Sequence, residues 1–326
     1  MGQKPQAIAG IDLGGTSIKA LVVDEKYKIL ATVKRKTKAT AKANNLIEEI
    51  ASVVEEAAKE AEVKVKDLFA VSIGAPGTID TKRGIVLEAP NLGWKDVELA
   101  DELKKQLSVP ILVDNDVNVG VVGEHALGAG EKVSELVGIF VGTGIGGGIV
   151  IQGELYGGSR GGAGEIGHTV ILADGPVCSC GHRGCAEALA SRTAMERDVL
   201  DAIKSGQKSV VPKILKEKGK DRITSSVIQA AIEQKDAVMT EVFTRAQHYL
   251  GILVANMVNL LDPERVVIGG GLAERFGEDF VAPIRQKAYE YFLHGRDAKR
   301  IKILPGALGD KAGALGAAVL ARKRLG

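Results

Sequence analysis

His168, Cys178, Cys180 and Cys185 are the residues whose types and spacing point most directly to chemistry. The sequence contains three cysteines, arranged C-x-C-x4-C, with His168 ten residues upstream of the first. Three thiolates and one imidazole make a complete tetrahedral ligand set for Zn²⁺. Soft sulfur donors favour zinc over magnesium or calcium. Four protein ligands leave no open position, so the spacing predicts a structural site rather than a catalytic one. Gly181 and Gly184 stand between the ligands, where a chain folding around an ion needs unusual backbone angles. The alternative is a set of buried apolar cysteines, or one disulfide with a spare thiol. A disulfide across C-x-C would close a small, strained ring. Three cysteines in 326 residues also fit a reducing compartment better than a secreted scaffold. The spacing departs from that of a zinc finger. Glu165 precedes His168 by three residues and Glu187 follows Cys185 by two, so a clamp here would fix both carboxylates.

A second polar cluster is Asp114-Asn115-Asp116-Val117-Asn118. It ends an apolar run, 110–114, and opens a helical one, 117–127. Asp at a helix start is often only a cap. The helix dipole also favours a charged carboxylate there, which suits a catalytic one. On these residues alone the cap is the simpler reading.

Two glycine turns complete the candidates. Residues 7–24 read as strand, turn and returning strand, with Gly14-Gly15-Thr16 at the tip and Asp12 ending the first strand. The turn amides could meet phosphate oxygens, and an ordinary tight hairpin explains the glycines equally well. It is not a P-loop, because the Lys-Ser/Thr ending and its immediate helix are missing. Residues 136–152 repeat the design, with Thr143-Gly144-Ile145-Gly146-Gly147-Gly148 as the turn. Two such hairpins suggest two related α/β halves facing one another, with phosphates between the turns.

The elements that must position these residues follow the hydrophobic periodicity. Residues 28–36 read as a strand, 44–62 as a helix and 68–74 as a buried strand. That strand runs into the 75–80 loop, which holds Gly77, at a carboxyl end where ligands bind in α/β sheets. Residues 97–107 read as a short helix. Further on, 187–201, 208–218 and 224–234 read as helices, and 237–261 as the longest. Residues 265–268 read as a strand followed by a third glycine turn, Gly269-Gly270-Gly271. Residues 274–292 read as a helix, 301–304 as a strand and 311–324 as a terminal helix.

The whole-chain figures bound the class. Hydrophobic content is 45% and charged content 26%, as in an ordinary soluble globular protein. The net charge of +2 gives no electrostatic case for nucleic acid or an anionic membrane. The basic run from Lys34 to Lys38 reads as a solvated strand end. No apolar run is long enough for a membrane span, and the start carries no signal peptide. Gln6 stands where a myristoylation motif wants Ser or Thr. The expectation is a cytoplasmic protein.

The motifs together resemble the ROK family (repressor, open reading frame, kinase). They are Asp12-Leu13-Gly14-Gly15-Thr16, Asn115-Asp116-x-Asn118, Thr143-Gly144-x-Gly146-Gly147-Gly148, Glu165-x-Gly167-His168 and the cysteine segment ending at Glu187. They occur in order over nearly the whole chain. The resemblance implies a two-domain hexokinase/actin-like (ribonuclease H-like) α/β fold with a structural zinc site. The small α/β domain would span 1–118 and be completed by the C-terminal helix, 308–326. The large one would span 119–307 and carry the zinc segment, 168–187. The implied activity is ATP-dependent phosphorylation of a hexose, glucose at its 6-hydroxyl foremost, with an N-acetylmannosamine or N-acetylglucosamine kinase as the alternative.

Carried over to these positions, Asp116 resembles the general base. Gly77, Asn115, Asp116, Glu165, His168 and Glu187 match sugar-contacting positions, with His168 also on zinc. Asp12 would orient the Mg²⁺ that accompanies ATP. Gly14, Gly15, Thr16, Lys19, Thr143 and Gly144 match phosphate-side positions, and Gly270 and Gly271 would lie near the nucleoside. The resemblance favours the base over the cap for Asp116. The implied partners are a hexose and ATP, without nucleic acid or membrane, in a homodimer or homotetramer. A regulator of the same family would carry a helix-turn-helix ahead of the first strand, and a strand starting near residue 7 leaves no room for one.

Overall fold

The computed structural model describes residues 7–37, 43–293 and 298–326. Gln6 and Lys38, named above for the myristoylation position and the basic run, lie outside them. The chain divides into two compact units. The first holds residues 1–132, 155–163 and 311–326, and the second holds 133–154 and 164–310.

The first unit opens with the expected hairpin, β1 (Ile8–Leu13) and β2 (Ser17–Val23), and β3 (Ile29–Lys36) continues it. Helix α1 (Ala43–Glu60) follows and buries a face from Leu46 to Ala58. Strand β4 (Ala70–Ala75) is buried at every residue, as a central strand covered on both faces must be. The segment beyond it is more ordered than the loop its sequence suggested. Strands β5 (Thr78–Asp80), β6 (Ile85–Ala89) and β7 (Trp94–Val97) form a small antiparallel sheet. Short strands with few alternating apolar residues carry too little periodicity to be read locally. Helix α2 (Leu99–Leu107) leads to β8 (Ile111–Asn115) and directly into α3 (Asp116–Leu127). The main sheet has the order β3-β2-β1-β4-β8. Its β1–β2–β3 part is antiparallel, and β1, β4 and β8 run parallel.

The second unit repeats this plan. Strands β9 (Leu136–Val141) and β10 (Ile145–Ile151) form the second hairpin, extended by the short β11 (Glu154–Leu155). The expected helix over 187–201 is two helices, α4 (Ala186–Ala190) and α5 (Arg192–Lys204). Ser191 breaks them: its backbone is extended and its hydroxyl accepts the Ala194 N–H, which caps α5. Helices α6 (Val211–Glu217), α7 (Ser225–Glu233) and the long α8 (Ala237–Leu261) follow. Strand β12 (Arg265–Gly269) runs straight into α9 (Gly270–Phe276), so the third glycine run is a helix start rather than a hairpin turn. The expected helix over 274–292 is likewise divided: α10 (Glu278–Glu290) begins after Gly277, whose φ of 54° no helix contains. Strand β13 (Lys302–Pro305) completes a sheet of order β11-β10-β9-β12-β13. Antiparallel β9–β10 beside parallel β9–β12–β13 matches the first sheet's arrangement.

The last helix, α11 (Ala312–Leu325), belongs to the first unit. It packs backbone to backbone on β1 and α3. A Cβ at Gly10 would overlap the Ala314 carbonyl, and one at Gly316 would overlap the Val119 carbonyl.

Candidate functional site

The residues picked out in the sequence fall into one group on each unit. In the first unit they gather at the carboxyl ends of β1, β4 and β8. Asn115 is the N-cap of α3: its side-chain oxygen accepts the N–H groups of Val117 (2.9 Å) and Asn118 (3.1 Å). Its amide Nδ2 donates to the Gly77 carbonyl (3.1 Å), tying the β4–β5 turn to the same junction. Gly77 has φ 95°, a conformation that side chains resist. The capping role is therefore filled by Asn115. Asp116 is the first helical residue, half-buried, with Oδ1 also 2.9 Å from the Val117 N–H. Asp114 lies beneath them, 2% exposed. Its Oδ1 accepts the Asn115 N–H (2.8 Å) and Asn118 Nδ2 (3.2 Å).

At the first hairpin, the Gly14 N–H donates to the Ser17 carbonyl (2.9 Å), closing the turn and leaving Thr16 exposed at its tip. Asp12 and Lys19 are directly opposed across β1 and β2 and so share a face. Lys19 is buried at 6% exposure. The first turn of α11 comes up against this pair, since a Cβ at Gly313 would lie 2.9 Å from the Asp12 carboxyl carbon.

In the second unit, Glu187 joins the cysteine loop to the second glycine turn. Its Oε2 accepts the Ile145 N–H (3.0 Å), and its Oε1 accepts the Ser179 hydroxyl (3.0 Å). A Cβ at Gly144 would lie 2.3 Å from Glu187 Oε2, so a side chain there would displace that carboxylate. Glu165 is exposed, and its carbonyl accepts the His168 N–H (3.1 Å). Thr143 is exposed at the turn, with Arg192 Nη2 donating to its Oγ1 (2.6 Å). Gly270, at φ 86°, starts α9 hard against β9: a Cβ would lie 2.6 Å from the Val141 carbonyl oxygen. A Cβ at Gly271 would meet Ser225 Oγ at 3.5 Å.

His168, Cys178, Cys180 and Cys185 come together, with their ligand atoms all within 4.8 Å of one another. Cys178 Sγ lies 3.6 Å from His168 Nδ1, and Cys180 Sγ lies 3.7 Å from Cys185 Sγ. No cysteine is in a disulfide. Zn–S bonds of ~2.3 Å and a Zn–N bond of ~2.0 Å put tetrahedral neighbours roughly 3.8 Å (S to S) and 3.5 Å (S to N) apart. The donor set fits a tetrahedral ion in chemistry, and these two pairs match its spacing, while the group as a whole, spread over as much as 4.8 Å, would draw in around an ion. Gly181 and Gly184 take φ values of 90° and 75°, the unusual angles their places in the loop called for. The thiols differ in acidity. Bonds from the His182 backbone and ring lower Cys180 to about 6. Burial, with the neighbouring thiols, pushes Cys185 up to about 12. A divalent cation would draw the thiolate form from both.

Ser179, Arg192 and Arg324 were not legible as site residues in the sequence. Ser179 sits between two ligands, which is its one local signal. Arg192 and Arg324 reach their partners across 49 and 210 residues, with no pattern linking them.

The ROK family pattern matches residues 8–324. The glucokinase of Thermotoga maritima is 35% identical over 320 residues, covering 98% of this chain and 98% of that protein. A ROK family glucokinase from Streptomyces griseus, crystallised with glucose and AMPPNP, superposes with a TM-score of 0.84 at 36% identity, over 97% of this chain and 99% of that one. The xylose repressor of Caldicellulosiruptor bescii is 34% identical over 280 residues, covering 86% of this chain and 69% of the repressor. With a match from the first strand almost to the last residue, and with the family's motifs in their order, this chain belongs to the ROK family.

Proposed function

We propose that this chain is an ATP-dependent hexose kinase, a glucokinase that converts glucose to glucose 6-phosphate. Asp116 carries this reading. Asn115 already caps α3, so helix formation does not require the carboxylate beside it. Similarity points the same way: the Thermotoga glucokinase matches over 98% of both chains, the xylose repressor over 86% of this chain and 69% of its own, at nearly equal identity. A carboxylate at that junction suits an enzyme.

In this mechanism Asp116 accepts the proton of the sugar 6-hydroxyl. The oxygen then forms a bond to the γ-phosphorus while the bond from phosphorus to the β,γ-bridging oxygen breaks, and ADP leaves with the electron pair. Phosphoryl transfer needs in-line placement and charge neutralisation more than covalent help. Asn115, Gly77, Glu165, His168 and Glu187 would hold the sugar. The amides around Gly14, Gly15, Thr16, Thr143 and Gly144 would meet phosphate oxygens, with Lys19 adding positive charge. Gly270 and Gly271 would lie against the nucleoside. Mg²⁺ accompanying ATP would neutralise phosphate charge, with Asp12 orienting it.

His168, Cys178, Cys180 and Cys185 would hold a structural Zn²⁺ that stiffens the loop on which Glu187 depends. Reduced thiolates of this kind fit a cytoplasmic protein. A homodimer or homotetramer is the expected assembly.

The test is a coupled kinase assay with ATP over glucose, mannose, fructose, N-acetylglucosamine and N-acetylmannosamine. The highest kcat/KM is expected for glucose. Preference for an N-acetylhexosamine would move the assignment to that sugar, and no turnover of any would favour the sugar-binding regulator.

A further inference from the structure

Arg192 opens α5 and grips the Gly142–Gly144 turn twice. Its Nη2 donates to Thr143 Oγ1 (2.6 Å), and its backbone N–H donates to the Gly142 carbonyl (3.0 Å). The other guanidinium arm, Nη1, donates to the Ile223 carbonyl (2.8 Å), so the fork is pinned at both ends. A guanidinium has donors and no acceptor. Thr143 Oγ1 must therefore be accepting in this bond, and its own hydrogen is directed elsewhere. Thr143 is exposed, and its hydroxyl donates to no group among the described residues.

The charge on Arg192 is as informative as its geometry. Glu196, one helical turn further on, is already engaged by Arg222 (3.0 Å) and by the Ile223 N–H (2.9 Å). Among the described residues no carboxylate lies within ion-pair distance of Arg192. Burial, together with the Arg222 charge, pushes its pKa below the usual guanidinium value, and the Glu196 charge offsets this only in part. A half-buried cation whose nearest carboxylate, Glu196, is already engaged by Arg222 is incompletely compensated, and an arriving anion relieves it. A cation bonded to a hydroxyl oxygen also polarises the O–H and strengthens it as a donor.

We propose that Arg192 is a positioning residue for the nucleotide phosphates: it fixes Thr143 as a polarised hydroxyl donor directed at a phosphate oxygen. This rests on the kinase reading above and adds a residue that the family motifs do not contain. Arg192 acts through Thr143, so their effects on nucleotide binding must not multiply.

The experiment is calorimetric binding of Mg²⁺·AMPPNP and, separately, of glucose to wild type, Arg192→Met, Arg192→Lys, Thr143→Val and Arg192→Met/Thr143→Val. Arg192→Met is expected to weaken AMPPNP about tenfold, the size of one charge-assisted hydrogen bond. Glucose affinity should stay within about twofold, and Lys should restore part of the loss by keeping the charge. In the Thr143→Val background, Arg192→Met should cost less than about twofold more. Unchanged AMPPNP binding in Arg192→Met, an equal loss for glucose, or multiplicative losses in the double variant would each overturn the proposal. If Arg192→Met does not fold, Arg192→Lys with and without Thr143→Val supplies the same comparison. Binding needs no turnover, so the two readings fail separately. A wild type that binds AMPPNP but phosphorylates no hexose ends the kinase reading alone, and one that binds no nucleotide ends both.

Discussion

Arg324 Nη2 donates to Asp114 Oδ2 over 2.6 Å, joining the last turn of the C-terminal helix to the end of β8. Asp114 is 2% exposed, while the Arg324 side chain is 34% exposed. The other Asp114 oxygen holds the Asn115 N–H and the Asn118 amide, the residues on either side of Asp116–Val117. The carboxylate under the Asn115–Asp116 junction thus has its charge met by a residue from the far end of the chain. Backbone contact between α11 and β1, through Gly10, is what brings that residue within reach.

Arg324→Met should therefore destabilise the protein and disturb Asp116 together. Leaving a buried carboxylate unpaired costs up to ~3–5 kcal/mol, and the exposure of Arg324 places this case at about 2–3 kcal/mol. Urea unfolding measures the first effect. The second should appear as lower kcat with little change in nucleotide affinity. An unchanged unfolding midpoint would mean that the pair is not a fastening.

Asp116→Asn should keep sugar binding and lose turnover by at least about a hundredfold, the usual contribution of a positioned base. Because Asn115 supplies the cap, the substitution should cost little stability. Steady-state kinetics with glucose, paired with a glucose-binding isotherm, separates the two effects. Near-normal kcat would remove Asp116 from its proposed role.

Cys180→Ser removes the exposed member of the four-ligand group. Bound zinc, measured by elemental analysis of unchelated protein, should fall below stoichiometric. The loop carrying Ser179 would then loosen its hold on Glu187, so glucose KM should rise while ATP KM moves much less. An unaltered glucose KM in zinc-depleted protein would separate the metal from the pocket.

Gly184→Ala tests the same loop without touching a ligand. Gly184 has φ 75°, and a Cβ there would overlap the Leu172 carbonyl. Its carbonyl accepts the Ile171 N–H (2.9 Å), and its N–H donates to the Pro176 carbonyl (2.9 Å). Zinc content and thermal stability should both fall, because the loop cannot close without displacing backbone. Zinc retained at wild-type stoichiometry with an unchanged Tm would contradict this account.

The ligand set, the two glycine hairpins and the Asn115–Asp116 junction were legible in the amino-acid order because each lies within some twenty consecutive residues. Local chemistry of that kind survives without knowledge of the fold: thiol spacing, turn glycines and the end of an apolar run are properties of the segment itself. Folding settled what depends on partners far along the chain. Asn115 takes the cap, and its amide also reaches Gly77, 38 residues earlier. Ser191 and Gly277 divide segments whose apolar periodicity looked continuous, since a cap and a positive φ override a weak helical preference. Arg192 gains its meaning from Thr143 and Ile223, and Arg324 from Asp114. An arginine on a helix carries no mark of the oxygen it will meet, and tertiary packing alone brings the two together.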